Sequence, residues 1–143
     1  MFTDCRSLVE APGGLVSLVH AEEMFLDCTS LSVLPEGFSL PMLENGYGMF
    51  QNCKLLLDVP DTINLAKLYD GRKMFGNCTL TAQSVKNVLY SLPQTTDWFC
   101  SIGIGHTKYW AMDEEIADFL NTGVPIKGPY RDAKNGWTVV VEA

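Results

Sequence analysis

Met24-Phe25-Leu26-Asp27-Cys28 decides how this chain is read, because it recurs as Met1-Phe2-Thr3-Asp4-Cys5, Met49-Phe50-Gln51-Asn52-Cys53 and Met74-Phe75-Gly76-Asn77-Cys78. The cysteines fall at 5, 28, 53 and 78, at intervals of 23, 25 and 25 residues. Self-similarity at such a period marks stacked repeats, whose units bury apolar faces only against one another. The agreement extends outward from the cysteine. Leu8, Leu31 and Leu56 follow it, then Pro12, Pro35 and Pro60, and the pairs Leu15/Leu18, Leu40/Leu43 and Leu65/Leu68 precede the next methionine. The first interval is short at Gly13-Gly14, a tighter turn that leaves the stacked columns in register.

Within one repeat, Leu31-Ser32-Val33-Leu34 is expected to be a short strand ended by Pro35. Met24, Phe25 and Cys28 suit a single helical turn with its apolar side inward. The inward ladder is then Met24, Phe25, Cys28, Met49, Phe50, Cys53, Met74, Phe75 and Cys78. Asp4, Asp27, Asn52 and Asn77, each just before a cysteine, are expected to satisfy backbone donors in the bend, as Asx side chains do in turns. A calcium role for that column is disfavoured, since no second carboxylate converges on it. Five cysteines are an odd number, and four occupy one repeat position, which favours buried reduced thiols over a disulfide framework. Neighbouring rungs stand about 5 Å apart, so distance alone also permits a bridge.

The pattern changes at Leu80. Val85, Val88, Leu89 and Leu92 lie at helical offsets between a cap at Thr81 and a stop at Pro93, an amphipathic helix suited to covering the last apolar rung. A strand is expected over Trp98–Ile104, with Trp98 in the core and Cys100, Ile102 and Ile104 on one face. A short helix over Met112–Leu120 has its acids in the first turn and Gly123 to close it. An irregular loop runs from Thr122 to Lys134, Asn135-Gly136 is a tight turn, and Trp137–Val141 is a final strand. The fold class expected is therefore an α/β repeat: a short solenoid over residues 1–80, with a capping helix and small α+β tail over 81–143.

Composition, at 47% hydrophobic and 19% charged, suits one folded unit. A net charge of −7, from 17 acids against 10 bases, argues against nucleic acid. No stretch approaches the roughly 18 apolar residues that span a bilayer, and the N-terminus carries no secretory pattern. Met1 is both first residue and repeat methionine, so the stack is expected to begin in mid-rung with an open edge: either the chain is the C-terminal part of a longer repeat protein, or that edge docks on a partner protein or assembly.

The MFx[DN]CxxL column over residues 1–80 resembles the BspA-type leucine-rich repeat family. The tail resembles the ending attached to such repeats in proteins of gut bacteria and their phages: a helix ending Leu92-Pro93, the strand Ile102-Gly103-Ile104-Gly105, an acidic helix at Asp113-Glu114-Glu115-Ile116, and Asn135-Gly136-Trp137 where the pattern has Lys-Gly-Trp. The resemblance implies a leucine-rich-repeat solenoid in a non-catalytic protein of the virion or bacterial cell surface. It also implies a virion accessory role in assembly or host attachment, or the end of a secreted adhesin, with a host-surface ligand, no cofactor and no metal. Tyr109, Trp110, Tyr130 and Arg131, in or beside loops, are the candidate binding residues, since aromatics and arginine dominate interface energetics. Trp137 is expected in the core. An enzyme reading would take Cys100 as thiol, His106 as base and Asp113 as orienter. Cys100 is in phase with the buried face, and Glu114 and Glu115 point different ways, so this reading is the weaker one.

Overall fold

The computed structural model describes residues 2–97, 99–123, 125–131 and 133–142. Trp98, expected in a core strand, lies outside them. Among the described residues the regular structure is one four-stranded mixed sheet, two α-helices and a short 3-10 helix at Asp61–Ile63. The strands are β1 (Asp70–Phe75), β2 (Ser101–Gly105), β3 (Gly128–Tyr130) and β4 (Thr138–Glu142), in the order β1-β2-β4-β3. β1, β2 and β4 run parallel, and β3 pairs antiparallel with β4. Helix α1 (Ala82–Ser91) makes the crossover from β1 to β2, and α2 (Glu114–Phe119) lies between β2 and β3. The protein is an α+β domain on a single sheet, and this corrects the expected leucine-rich-repeat solenoid of curved, strand-bearing repeats.

The reason lies in the backbone of the repeats. Leu31–Leu34 is no strand; it makes one isolated bridge, Glu10 to Val33. Met24–Cys28 is no helical turn either. Met24 N–H bonds to Ala21 O, Leu26 N–H to Glu23 O and Cys28 N–H to Phe25 O, a chain of tight turns broken by left-handed residues at Glu23 (φ 56°) and Asp27 (φ 59°). A left-handed residue ends both helix and strand. Of the four Met-Phe segments, the fourth alone is a named strand, β1, because β2 lies beside it.

The earlier turns lie against the free side of β1 and are bonded to it in sequence. Gly46, Gly48, Phe50 and Asn52 donate to the carbonyls of Asp70, Arg72, Met74 and Gly76, at 2.8 to 2.9 Å. Ala21, Glu23, Phe25 and Asp27 donate in turn to Asn45, Tyr47, Met49 and Gln51. Phe2 and Asp4 donate to Met24 and Leu26. This brings Phe2, Phe25, Phe50 and Phe75 into a column of stacked rings, with centroids 5.3 to 5.4 Å apart and planes within 10°.

Two glycines of the Ile102-Gly103-Ile104-Gly105 stretch let β1 approach β2. Between its pairs Gly71↔Ile102 and Phe75↔Ile104, β1 carries a bulge centred on Lys73, at φ 58°. A Cβ on Gly103 would stand 2.7 Å from Lys73 N, and one on Gly105 would stand 2.5 Å from Cys78 O. Thr81 caps α1 by accepting from Ser84 N–H at 3.2 Å, and Asp113 caps α2 by accepting from Ile116 N–H at 3.0 Å. Left-handed Asn121 (φ 57°), rather than Gly123, closes α2, with Thr122 N–H on Ala117 O. The loop read as irregular contains β3, whose Pro129 is tolerated because β3 is an edge strand. Trp137 is fully buried, its indole N–H donating to Pro93 O at 2.7 Å.

Phe50, fully buried between two rings, carries the centre of the column. Phe50→Ala is expected to cost about 3–5 kcal/mol in urea unfolding, the range for a large aromatic removed from a core. Phe2→Ala, at the half-buried end of the column, is expected to cost clearly less.

Candidate functional site

Three polar columns accompany the ring column. Cys28, Cys53 and Cys78 donate their thiols to the carbonyls of Phe2, Phe25 and Phe50, at 3.0 to 3.2 Å. All five cysteines are free; Cys5 is exposed and the others are buried. Burial pushes the Cys28 and Cys78 thiols up, and Cys53 is pushed up to about 12. The column of Asn45 and Asp70 holds the bends, accepting from Tyr47 N–H and Arg72 N–H two residues on.

The Asx column before the cysteines does other work than the backbone capping expected of it. Asp4, Asp27, Asn52 and Asn77 are all left-handed, with φ between 59° and 64°. Asn77 Nδ2 donates to Asn52 Oδ1 at 3.0 Å, and Asn52 Nδ2 donates to Asp27 Oδ1 at 2.6 Å. Asp27 has no proton to pass on, so this one-way chain of amides stops, and Asp4 turns aside to Arg6 Nε at 2.7 Å.

The first turn therefore presents an outer edge with polar groups left over. Thr3 stands where Leu26 and Gln51 accept from the preceding turn, and the Thr3 carbonyl has no backbone donor among the described residues. Val9 and Glu10 stand where Ser32 and Val33 donate, and their N–H groups have no backbone acceptor there. Apolar columns end at the same edge. Leu31, Leu40 and Leu43 are fully buried, whereas their equivalents Leu8, Leu15 and Leu18 are half-buried, and Val9 is 54% exposed. An edge with unpaired backbone groups beside apolar side chains is a template for another segment. Thr3, Val9 and Glu10 were not singled out from the sequence, although their equivalence to Leu26, Ser32 and Val33 by repeat position was there to be used.

The residues picked from the sequence are placed elsewhere. Trp110 is 1% exposed, its indole N–H on Gly105 O at 3.0 Å, and belongs to the core. Tyr130 holds its own loop through Ile126 N and O, and Arg131 is exposed beside it. Tyr109 is 53% exposed, with the Lys108 ammonium 5.7 Å from its ring centroid. Among the described residues, no hydrogen bond, ion pair or ring contact joins Tyr109 to Tyr130 or Arg131.

Cys100, His106 and Asp113 are likewise engaged apart. Cys100 is buried and accepts from the Thr95 hydroxyl at 3.6 Å, His106 Nε2 meets Pro125 O at 3.2 Å, and Asp113 caps α2 and pairs with Lys86 at 3.1 Å. Lys86 also reaches Glu115 at 3.1 Å, and Glu115 accepts from the Tyr90 hydroxyl at 2.6 Å, which pushes the tyrosine up to about 12. These groups fasten α1 to α2. Among the described residues, no cluster of three His, Cys, Asp or Glu could hold a metal ion, and no helix is long and apolar enough to cross a membrane.

Searched against models of protein families, curated proteins and solved structures, the chain matches none. The resemblance to BspA-type leucine-rich repeats is corrected by the architecture, and the virion, phage and adhesion settings that it implied have no support in the structure.

Two outcomes follow from the site's burial and charge. Under native conditions a thiol reagent should modify one cysteine of the five promptly, Cys5, with the other four reacting only on unfolding; peptide mapping of the labelled protein checks this. The second concerns Glu142, whose Oε1 is buried without a hydrogen-bond partner among the described residues and would lie 2.5 Å from a Cβ on Gly103. Burial raises its carboxyl above the usual 4.5, with Lys73 opposing. A raised carboxyl favours folding while protonated, and that contribution is lost as pH rises from 4.5 through the folded value. Glu142→Gln should therefore gain stability relative to the parent as pH rises from 4.5 toward neutrality, in urea titrations at each pH. A constant difference would show that Glu142 does not titrate in that window.

Proposed function

We propose that this chain is a protein-binding module whose contact surface is the outer edge of its first turn. The observation that carries the proposal is the set of unfilled positions at Thr3, Val9 and Glu10, each of which is filled at the equivalent place one turn further on. The half-buried Phe2 ring, stacked at 5.3 Å on Phe25, adds an aromatic anchor to the same edge. A partner that supplies one extended segment satisfies the backbone groups and covers the ends of the apolar columns together.

Site-directed photocrosslinking tests this. In a Cys5→Ser background, with the four remaining native thiols buried, a photoreactive label at Ser7→Cys marks the edge and one at Glu114→Cys marks the α2 end. In extract from the native source, the edge label should trap one discrete protein that the α2 label does not. Equal trapping from both positions, or none from the edge, would overturn the assignment.

A further inference from the structure

The charge of the chain is divided unevenly. Residues 1–53 hold seven acids, Asp4, Glu10, Glu22, Glu23, Asp27, Glu36 and Glu44, against the single base Arg6. That base is already taken, its Nε 2.7 Å from Asp4. The remainder of the chain is nearly balanced, with ten acids against nine bases. The first two turns are thus the acidic part of the molecule, and at the open edge itself stand Asp4 and Glu10, the latter with its backbone groups also unfilled among the described residues. The amide chain of the Asx column ends one turn inside the edge in the Asp27 carboxylate, and Asp4 on the first turn is paired with Arg6.

The way the turns bond to one another states what an occupant must carry. An incoming segment that repeats the relation of the first turn to the second places an aromatic ring on the outer face of Phe2, as Phe2 lies on Phe25 within 3° of parallel. Its N–H two residues on donates to Thr3 O, as Asp4 N–H does to Leu26 O at 2.7 Å. The carbonyl of its aromatic residue accepts from the exposed Cys5 thiol, as Phe2 O accepts from Cys28 at 3.0 Å. A cation on the segment meets Glu10, which has no ion pair among the described residues, whereas Asp4 is held by Arg6.

Resting on the binding reading above, we infer that the partner segment is a basic extended peptide bearing one aromatic residue, added in parallel to the first turn. A second copy of the chain fits poorly, since it would bring one acid-rich end against another across a low-dielectric contact.

A probe with this chemistry exists in the chain itself. Residues 69–79 carry Arg72, Lys73 and Phe75 around the Met-Phe turn, and a synthetic peptide of that stretch, with Cys78→Ser to prevent thiol exchange, presents them free. Titrated into the isotope-labelled full chain at low salt, it should shift the amides of residues 2–10 saturably. Affinity should fall about tenfold in the Arg72→Glu/Lys73→Glu peptide, fall similarly in the Phe75→Ala peptide, and weaken with added salt. Equal binding by the charge-reversed peptide at residues 2–10 would overturn the partner chemistry while leaving the edge as the binding surface. Equal binding by the Phe75→Ala peptide would overturn the aromatic requirement. Absence of binding by every peptide, or shifts confined to other residues, would overturn the inference together with the edge assignment. Concentration-dependent self-association that shifts the same amides would replace the basic segment with a second copy.

Discussion

The hydrogen bond from Phe50 N–H to Met74 O, 2.8 Å long, and its three companions between residues 46–52 and 70–76 are the contacts on which the first half of the molecule depends. They attach a chain of tight turns, whose one helix among the described residues is the 3-10 turn Asp61–Ile63, to the one strand in that half that is held on its other side. β2 holds β1, β1 holds the third Met-Phe turn, that turn holds the second, and the second holds the first. Order is thus passed outward from the sheet, turn by turn, to the first turn.

The side chains follow the same direction. Phenylalanine rings stack in the direction of the backbone bonds, thiols bond back to the preceding turn, and amides hand a hydrogen bond from Asn77 to Asn52 to Asp27. Asparagine both donates and accepts, so it can stand inside such a chain; aspartate accepts only and must stand at its end. The change from Asn to Asp along the column is therefore a physical statement of where the chain of amides stops. The same change puts carboxylates on the first two turns, Asp27 accepting from Asn52 and Asp4 paired with Arg6.

Much of this was legible in the sequence, and the limit has a physical cause. The recurring columns identify which residues stack, Thr81 and Pro93 bound α1, and Trp137–Val141 lies within one residue of β4. All of these are local signals. What the columns do not carry is the backbone conformation between them. Left-handed Glu23 and Asp27 turn a strand-and-helix reading into consecutive turns, and that is what separates this α+β domain from the leucine-rich-repeat solenoid expected of it. The parallel pairing of β1 with β2 and β4 is non-local, and its one sequence trace is the pair Gly103 and Gly105, legible only once the Lys73 bulge and Cys78 are seen against them. At the site, side-chain chemistry drew attention to Tyr109, Trp110, Tyr130 and Arg131, whereas the unfilled positions are backbone groups of Thr3, Val9 and Glu10. No residue type marks a free carbonyl.

Residue-resolved amide hydrogen exchange under native conditions tests the account most directly. If order passes outward from the sheet, protection should be greatest at the β2-bonded strands, lower at Phe50 and Asn52, lower again at Phe25 and Asp27, and least at Phe2 and Asp4. Val9 and Glu10 should then exchange freely. Protection at Phe2 and Asp4 equal to that of β2, or protected amides at Val9 and Glu10 in the isolated chain, would contradict it.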